Sequence, residues 1–199
     1  MILFDGCSWT WGDELENREK DRFSSLIGKD HVNLSERGKS NDGILRTTIE
    51  YCENHHIDIA VIQFSKISRR EILKDEKQFE RITVQRDTEG CLSYYKYLQD
   101  SYDDLANFYK NKFLLEQYFK NKKIKHFFMC VNRARDFVNI NKYKSPSSWQ
   151  KMSKKPIPSL YTLFGGGRRD NTPYFDFPSG HPNKRGHEKI AEFICENIF

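Results

Sequence analysis

The sequence predicts a single α/β domain built on a mostly parallel sheet that helices cover on both faces. Three observations carry that expectation. Short apolar runs at residues 1–4, 57–64 and 124–131 read as buried strands, because a parallel strand is covered on both sides and need not alternate polar with apolar. Longer stretches of helical spacing lie between them, and strands that take turns with helices build βαβ units. The length, 199 residues, suits one such domain, and no repeat or low-complexity linker marks a boundary within 1–199.

In chain order, residues 1–4 form the first strand, which runs directly into the turn Asp5-Gly6-Cys7-Ser8. Residues 13–27 read as a helix and 31–34 as a second short strand. Residues 42–54 have helical spacing through Ile44, Leu45, Thr48 and Ile49. The run IDIAVIQF at 57–64 is the clearest central strand, apolar and β-branched. Residues 70–85 read as a β-hairpin turning near 75–77, with a helix as the alternative. A long helix is expected over 94–122, with Tyr95, Leu98, Tyr102, Leu105, Phe108 and Tyr109 near helical spacing. Residues 124–131 give another buried strand. An amphipathic helix over 183–198, with Ile190, Ala191, Ile194 and Ile198 inward, closes the chain. Residues 143–174 are long, polar and rich in Pro and Gly, which suits a lid or wall over a site, with Gly165 to Gly167 as its hinge or turn.

The net charge of +5, from 33 Lys and Arg against 28 acidic residues, is a modest excess. Its densest stretch, KNKKIK from Lys120 to Lys125, falls at a helix C-terminus, where cations complement the dipole. Nucleic acid is therefore not the expected partner, and a nucleic-acid-associated factor is the weakest of the readings considered. Five cysteines, odd in number and scattered without a CxxC pair, argue against a disulfide framework and a zinc site. No metal or cofactor is expected. The opening MILFDGCSW turns polar too soon for a signal peptide, and no apolar run reaches transmembrane length. These features together lead to the expectation of a soluble, cytoplasmic protein.

Two blocks carry chemistry. Gly6-Cys7-Ser8-Trp9-Thr10-Trp11-Gly12 lies between the first strand and a helix. A serine there projects above the carboxyl ends of the strands, where open α/β sheets bind ligands, with backbone donors of a helix N-terminus beside it. A helix-capping serine is the alternative. At the other end, Ser179-Gly180-His181-Pro182-Asn183 leads into the last helix, which Asn183 can cap. His181 is thereby held on a firm platform and is suited to act as general base for a serine hydroxyl, with a surface loop histidine as the alternative that this block alone favours. His187 reads as a helix residue and not a catalyst.

In type and position these blocks resemble those of the SGNH hydrolases, the GDSL-type esterases and lipases, and the opening GCSWTWGDEL is similar to small phage-type members of that family. The resemblance implies a three-layer α/β/α sandwich of flavodoxin-like build with about five mostly parallel strands. It further implies ester hydrolysis with Ser8 as nucleophile and His181 as base, acting on an ester-bearing small molecule or saccharide. The segment Asn33-Leu34-Ser35-Glu36-Arg37-Gly38 matches the family's N-L-x-x-x-G, which assigns the Gly38 amide to the oxyanion hole. The chain departs from the family in two places. No asparagine follows the central strand, where Gln63-Phe64-Ser65-Lys66-Ile67-Ser68-Arg69 stands. Asn41, Ser65 or Ser68 would have to supply the third donor, or Arg69 would hold an anionic or polar substrate. The family's aspartate three residues before the histidine is Pro178 here, which leaves Asp176, five residues before, or a Ser-His dyad. Acyl transfer on the same site, or a binding protein that keeps the fold without activity, are the alternatives to hydrolysis.

Overall fold

The central strand is β3 (Ile59–Phe64), whose residues are nearly all buried. In the computed structural model, which describes residues 1–28, 30–75, 78–83, 88–131, 157–165, 173–176 and 180–199, it lies between β1 (Ile2–Asp5) and β6 (Lys125–Cys130). β2 (His31–Asn33) extends the sheet beyond β1, giving the order β2-β1-β3-β6 with every pairing parallel. Where a fifth strand would follow β6, the described chain makes a single parallel bridge, Cys130 to Ser159.

Alternation along the strands divides the core in two. Leu3, Ala60, Ile62 and Phe64 face one side, against Ile44 of α4 (Asn41–Asn54) and Leu105, Phe108, Leu115 and Phe119 of α6 (Ser101–Lys122). Phe4, Val61 and Met129 face the other, against Phe23 of α3 (Phe23–Ile27) and Ile190, Ala191, Ile194 and Ile198 of α8 (Lys184–Ile198). The result is the α/β/α sandwich that the resemblance implies. The hairpin also forms: β4 (Arg70–Leu73) pairs antiparallel with β5 (Phe79–Ile82). It is braced against the sandwich by Arg46 to Glu71 and by Arg81 to Glu36 and the Arg37 carbonyl.

Two helices differ from expectation, each for a local reason. The stretch 13–27 is not one helix. Only α2 (Arg18–Asp21) and α3 are helical, and Arg22 between them is extended, with φ −70° and ψ 145°. That break turns Phe23, fully buried, onto Phe4 and His187. Burying a Phe side chain is worth roughly 1.5–3 kcal/mol, more than the bonds of one short helical turn. The long helix over 94–122 is also divided. After α5 (Glu89–Ser93) and a π-helical turn (Tyr94–Leu98), the chain extends at Gln99 and Asp100. The Asp100 carboxylate then accepts from the amides of Tyr102 and Asp103, so a strong N-cap starts α6 afresh.

Candidate active site

Ser8 opens α1 (Ser8–Trp11), one turn of helix directly after β1 and the Gly6-Cys7 bend. Gly6 is required by close approach. A Cβ there would meet Thr10 Oγ1 at 2.3 Å and Gln63 O at 3.0 Å. Gln63, fully buried on β3, holds the bend from beneath. Its Oε1 accepts from the Cys7 amide at 3.3 Å and from Thr10 Oγ1 at 3.0 Å. Gly12, left-handed at φ 81°, ends the turn. Trp9 packs on Phe175 and on Phe164, so α1 is wedged between the sheet and residues 157–165.

His181 arrives from the other end of the chain. It begins β8 (His181–Pro182), a two-residue strand paired antiparallel with β7 (Phe175–Asp176). Asn183 secures the platform: its side chain accepts from the Gly186 amide at 3.1 Å and caps α8, and its own amide donates to Tyr174 O at 2.9 Å. His181 Nε2 thereby stands 3.0 Å from Ser8 Oγ. With Nδ1 protonated, Nε2 accepts the serine's hydrogen bond, the arrangement a general base requires.

Two carboxylates of the α1–α2 loop flank the imidazole. Glu14 Oε1 is 3.5 Å from His181 Nδ1, and Asp13 Oδ2 is 3.8 Å from Nε2. Asp13 is also ion-paired with Arg37. Glu14 is left-handed at φ 71°, uncommon for a residue with a side chain. Sequence reasoning missed Glu14, and nothing in linear spacing marks it. The acid it preferred, Asp176, is the direct β-ladder partner of His181, and its side chain lies outside the described residues.

The segment carrying Gly38 is tied to the serine bend, since the Glu36 amide donates to Gly6 O at 3.3 Å. Gly38 itself is left-handed at φ 71°, with nothing within 4 Å of where a Cβ would stand. Below it lies an ion pair that the sequence did not announce. Lys39 Nζ is 2.7 Å from Asp5 Oδ1, both side chains almost wholly buried, and it also donates to Leu34 O at 2.7 Å. Asp5 further accepts from the Gly6 amide, Thr47 Oγ1 and Thr48 Oγ1. Burial pushes the Asp5 carboxyl up from its ordinary value, and Lys39 and the two threonines pull against that.

Asn41, Ser65 and Arg69 form their own cluster at the end of β3. Asn41 Oδ1 accepts from the Ser65 amide at 2.8 Å, and Arg69 Nη1 donates to Ser65 Oγ at 2.8 Å. Among the described residues no hydrogen bond joins this cluster to Ser8 or His181. Of the expected lid over 143–174, residues 157–165, with the one-turn helix α7 (Leu160–Leu163), are core-packed through Leu160 and Phe164 and form a wall beside Trp9, with Gly165 at φ 93°. Residues 143–156 and 166–172, Gly166 and Gly167 among them, lie outside the described residues. His187 is structural, as expected. Its Nδ1 accepts from the Phe23 amide at 3.2 Å, and burial pushes its pKa down to about 3. A cleft of about 560 Å³ opens between α1 and α4, lined by Trp11, Leu34, Glu36, Glu50, Tyr51 and His55 among others. Among the described residues no group of three His, Cys, Asp or Glu could hold a metal ion, and no helix is long and apolar enough to cross a membrane.

Solved structures share this architecture along its length. The psychrotrophic esterase EstA from Pseudoalteromonas sp., in a form inhibited by monoethylphosphonate, superposes with a TM-score of 0.61 at 13% identity, covering 99% of this chain and 95% of that one. A catalytic mutant of the acetylxylan esterase Axe2 from Geobacillus stearothermophilus gives 0.60 at 12% identity, over 99% and 93%. A GDSL-like lipase from Bacteroides thetaiotaomicron gives 0.58 at 16%, over 99% and 86%. This chain has the SGNH-hydrolase fold. No protein-family model and no curated protein sequence matches it.

Proposed function

We propose that the protein is an ester hydrolase in which His181 deprotonates Ser8. The serine oxygen attacks the ester carbonyl, the alcohol leaves with the proton that His181 returns, and water activated by the same imidazole clears the acyl-enzyme. The observation that carries this reading is the 3.0 Å approach of His181 Nε2 to Ser8 Oγ, made between residues at opposite ends of the chain. The amides of Ser8 and Gly38 are the oxyanion donors of this reading, with Asn41, Ser65 or Ser68 as the source of a third and Arg69 as an anchor for a polar substrate. Asp176 and Glu14 are the two candidates for the carboxylate behind the imidazole. The substrate of this reading is a small acyl ester, an O-acylated saccharide included; the cleft between α1 and α4 is lined by neither Ser8 nor His181 and does not by itself define the acyl site.

The test is reaction with a fluorophosphonate probe, followed by mapping of the labelled residue, alongside hydrolysis of p-nitrophenyl acetate. Label on Ser8, and loss of both label and about 10³-fold or more of turnover in Ser8→Ala, is the expected result. Absence of label and turnover in the wild-type protein would instead favour a binding protein on the same fold. Ester consumption that depends on an added acceptor alcohol would favour acyl transfer.

A further inference from the structure

We propose that Glu14 is the carboxylate that positions His181, so that the acid of this site comes from the serine block and not from the histidine block. The inference rests on the esterase reading of Ser8 and His181 and deepens it. Its first support is geometric. Glu14 Oε1 lies 3.5 Å from His181 Nδ1, the ring nitrogen turned away from the serine and the one whose proton an orienting acid must hold. Catalytic hydrogen bonds are often long before substrate binds, so this distance suits an open site.

The second support is the backbone. Glu14 is left-handed at φ 71°, a conformation that a side-chain-bearing residue adopts at a cost. Only Glu14 and Lys123 do so among the described non-glycine residues, and Lys123 ends a helix, where that conformation is usual. Glu14 ends no helix. It is the third residue of a turn in which the Leu15 amide donates to the Gly12 carbonyl at 3.4 Å, a position that usually takes glycine and here carries a carboxylate. That turn, just after Gly12, is what sets the Glu14 carboxylate beside the ring. The neighbouring acid is a poorer candidate. Asp13 is engaged by Arg37 and stands nearer Nε2, which faces Ser8.

The chemistry requires no new reactant. Glu14 accepts the Nδ1–H bond throughout, fixes the tautomer in which Nε2 is bare, and stabilises the imidazolium that forms when Nε2 takes the serine proton. It takes up no proton itself. Because its side chain is 38% exposed, water screens part of its charge. The loss on removing it is therefore smaller than the ~10⁴-fold seen for a buried triad aspartate.

The test combines two variants with two readouts. Glu14→Gln removes the charge and keeps the shape. Glu14→Gly removes the carboxylate and suits the left-handed backbone, so its melting temperature should stay at or above wild type. Both should lower kcat on p-nitrophenyl acetate by about 10²-fold with KM within threefold. The second readout needs no turnover and so stands even if the esterase reading fails: ¹⁵N NMR of the His181 ring at neutral pH. Wild type should show a protonated Nδ1 and a bare Nε2, and both variants should move toward a mixture of tautomers. A kcat loss under tenfold in Glu14→Gly, or ring signals unmoved in both variants, overturns the proposal. The same measurements on Asp176→Asn would then show whether that residue holds the role.

Discussion

His187 should make the fold labile to acid, by an amount the structure allows to be worked out. Its ring is fully buried, stacked on Phe23, with Nδ1 accepting from the Phe23 amide. Charging it would forfeit that bond and place a cation among apolar side chains, hence a folded pKa of about 3 against an ordinary 6.5. A pKa depressed by folding contributes stability that is present above the unfolded value and lost as pH falls toward the folded one. Between pH 7 and pH 4 the loss is about 3 kcal/mol, at about 1.4 kcal/mol per unit over the interval in which only the unfolded state binds the proton. For a chain of this length that lowers the melting temperature by about 6–12 °C. His187→Asn keeps an acceptor for the Phe23 amide and cannot titrate. It should cost about 1–2 kcal/mol at pH 7 through lost ring packing, yet lose about 3 kcal/mol less than wild type on acidification. Urea unfolding at pH 7, 5.5 and 4 measures both curves. Parallel curves for the two proteins would refute the assignment.

Two further predictions concern the floor of the site. Lys39→Met should destabilise the protein by about 3–5 kcal/mol in urea, because Asp5 is left buried without its counter-charge, and Asp5→Asn in the same chain should recover much of that. Gly6→Ala should lower the melting temperature by the equivalent of about 2 kcal/mol, since its Cβ would fall 2.3 Å from Thr10 Oγ1. It should also slow fluorophosphonate labelling, because the same clash displaces the serine bend.

What the sequence disclosed, and what it hid, follows from the range of the forces involved. β3 is legible because burial on both faces demands an apolar run, β6 because Phe127 to Cys130 are all apolar although only Met129 and Cys130 are buried, and α8 because Asn183 caps it and its inward residues recur at helical spacing. The meeting of Ser8 with His181 is legible because each stands at a strand-to-helix junction on the same rim. The break at Arg22 is not, because the residues on either side favour helix and only the Phe4–His187 pocket makes the extended backbone worthwhile. Polar residues inside α6 are equally silent. Asn107 and Asn111 look like surface positions, and each donates to Asp42 Oδ1 at 2.9 Å across the α4–α6 interface. Glu14 is hidden for a third reason, because its place beside the imidazole depends on a left-handed backbone that propensity argues against.

The hydrogen bond between His181 and Ser8 spans 173 positions of the chain. During synthesis the serine bend and its strand emerge first, and the imidazole arrives only when the final helix docks against Phe23. Closing a loop of that length carries an entropy cost that local contacts do not. Under the proposed esterase reading, a growing chain would stay inactive until α8 seats. Any excursion that detaches this one helix separates His181 from Ser8 while β1, β3 and β6 remain paired. Probe labelling of Ser8 is in this sense a gauge of whether the last helix is home, and it should fade before circular dichroism registers any loss of the sheet.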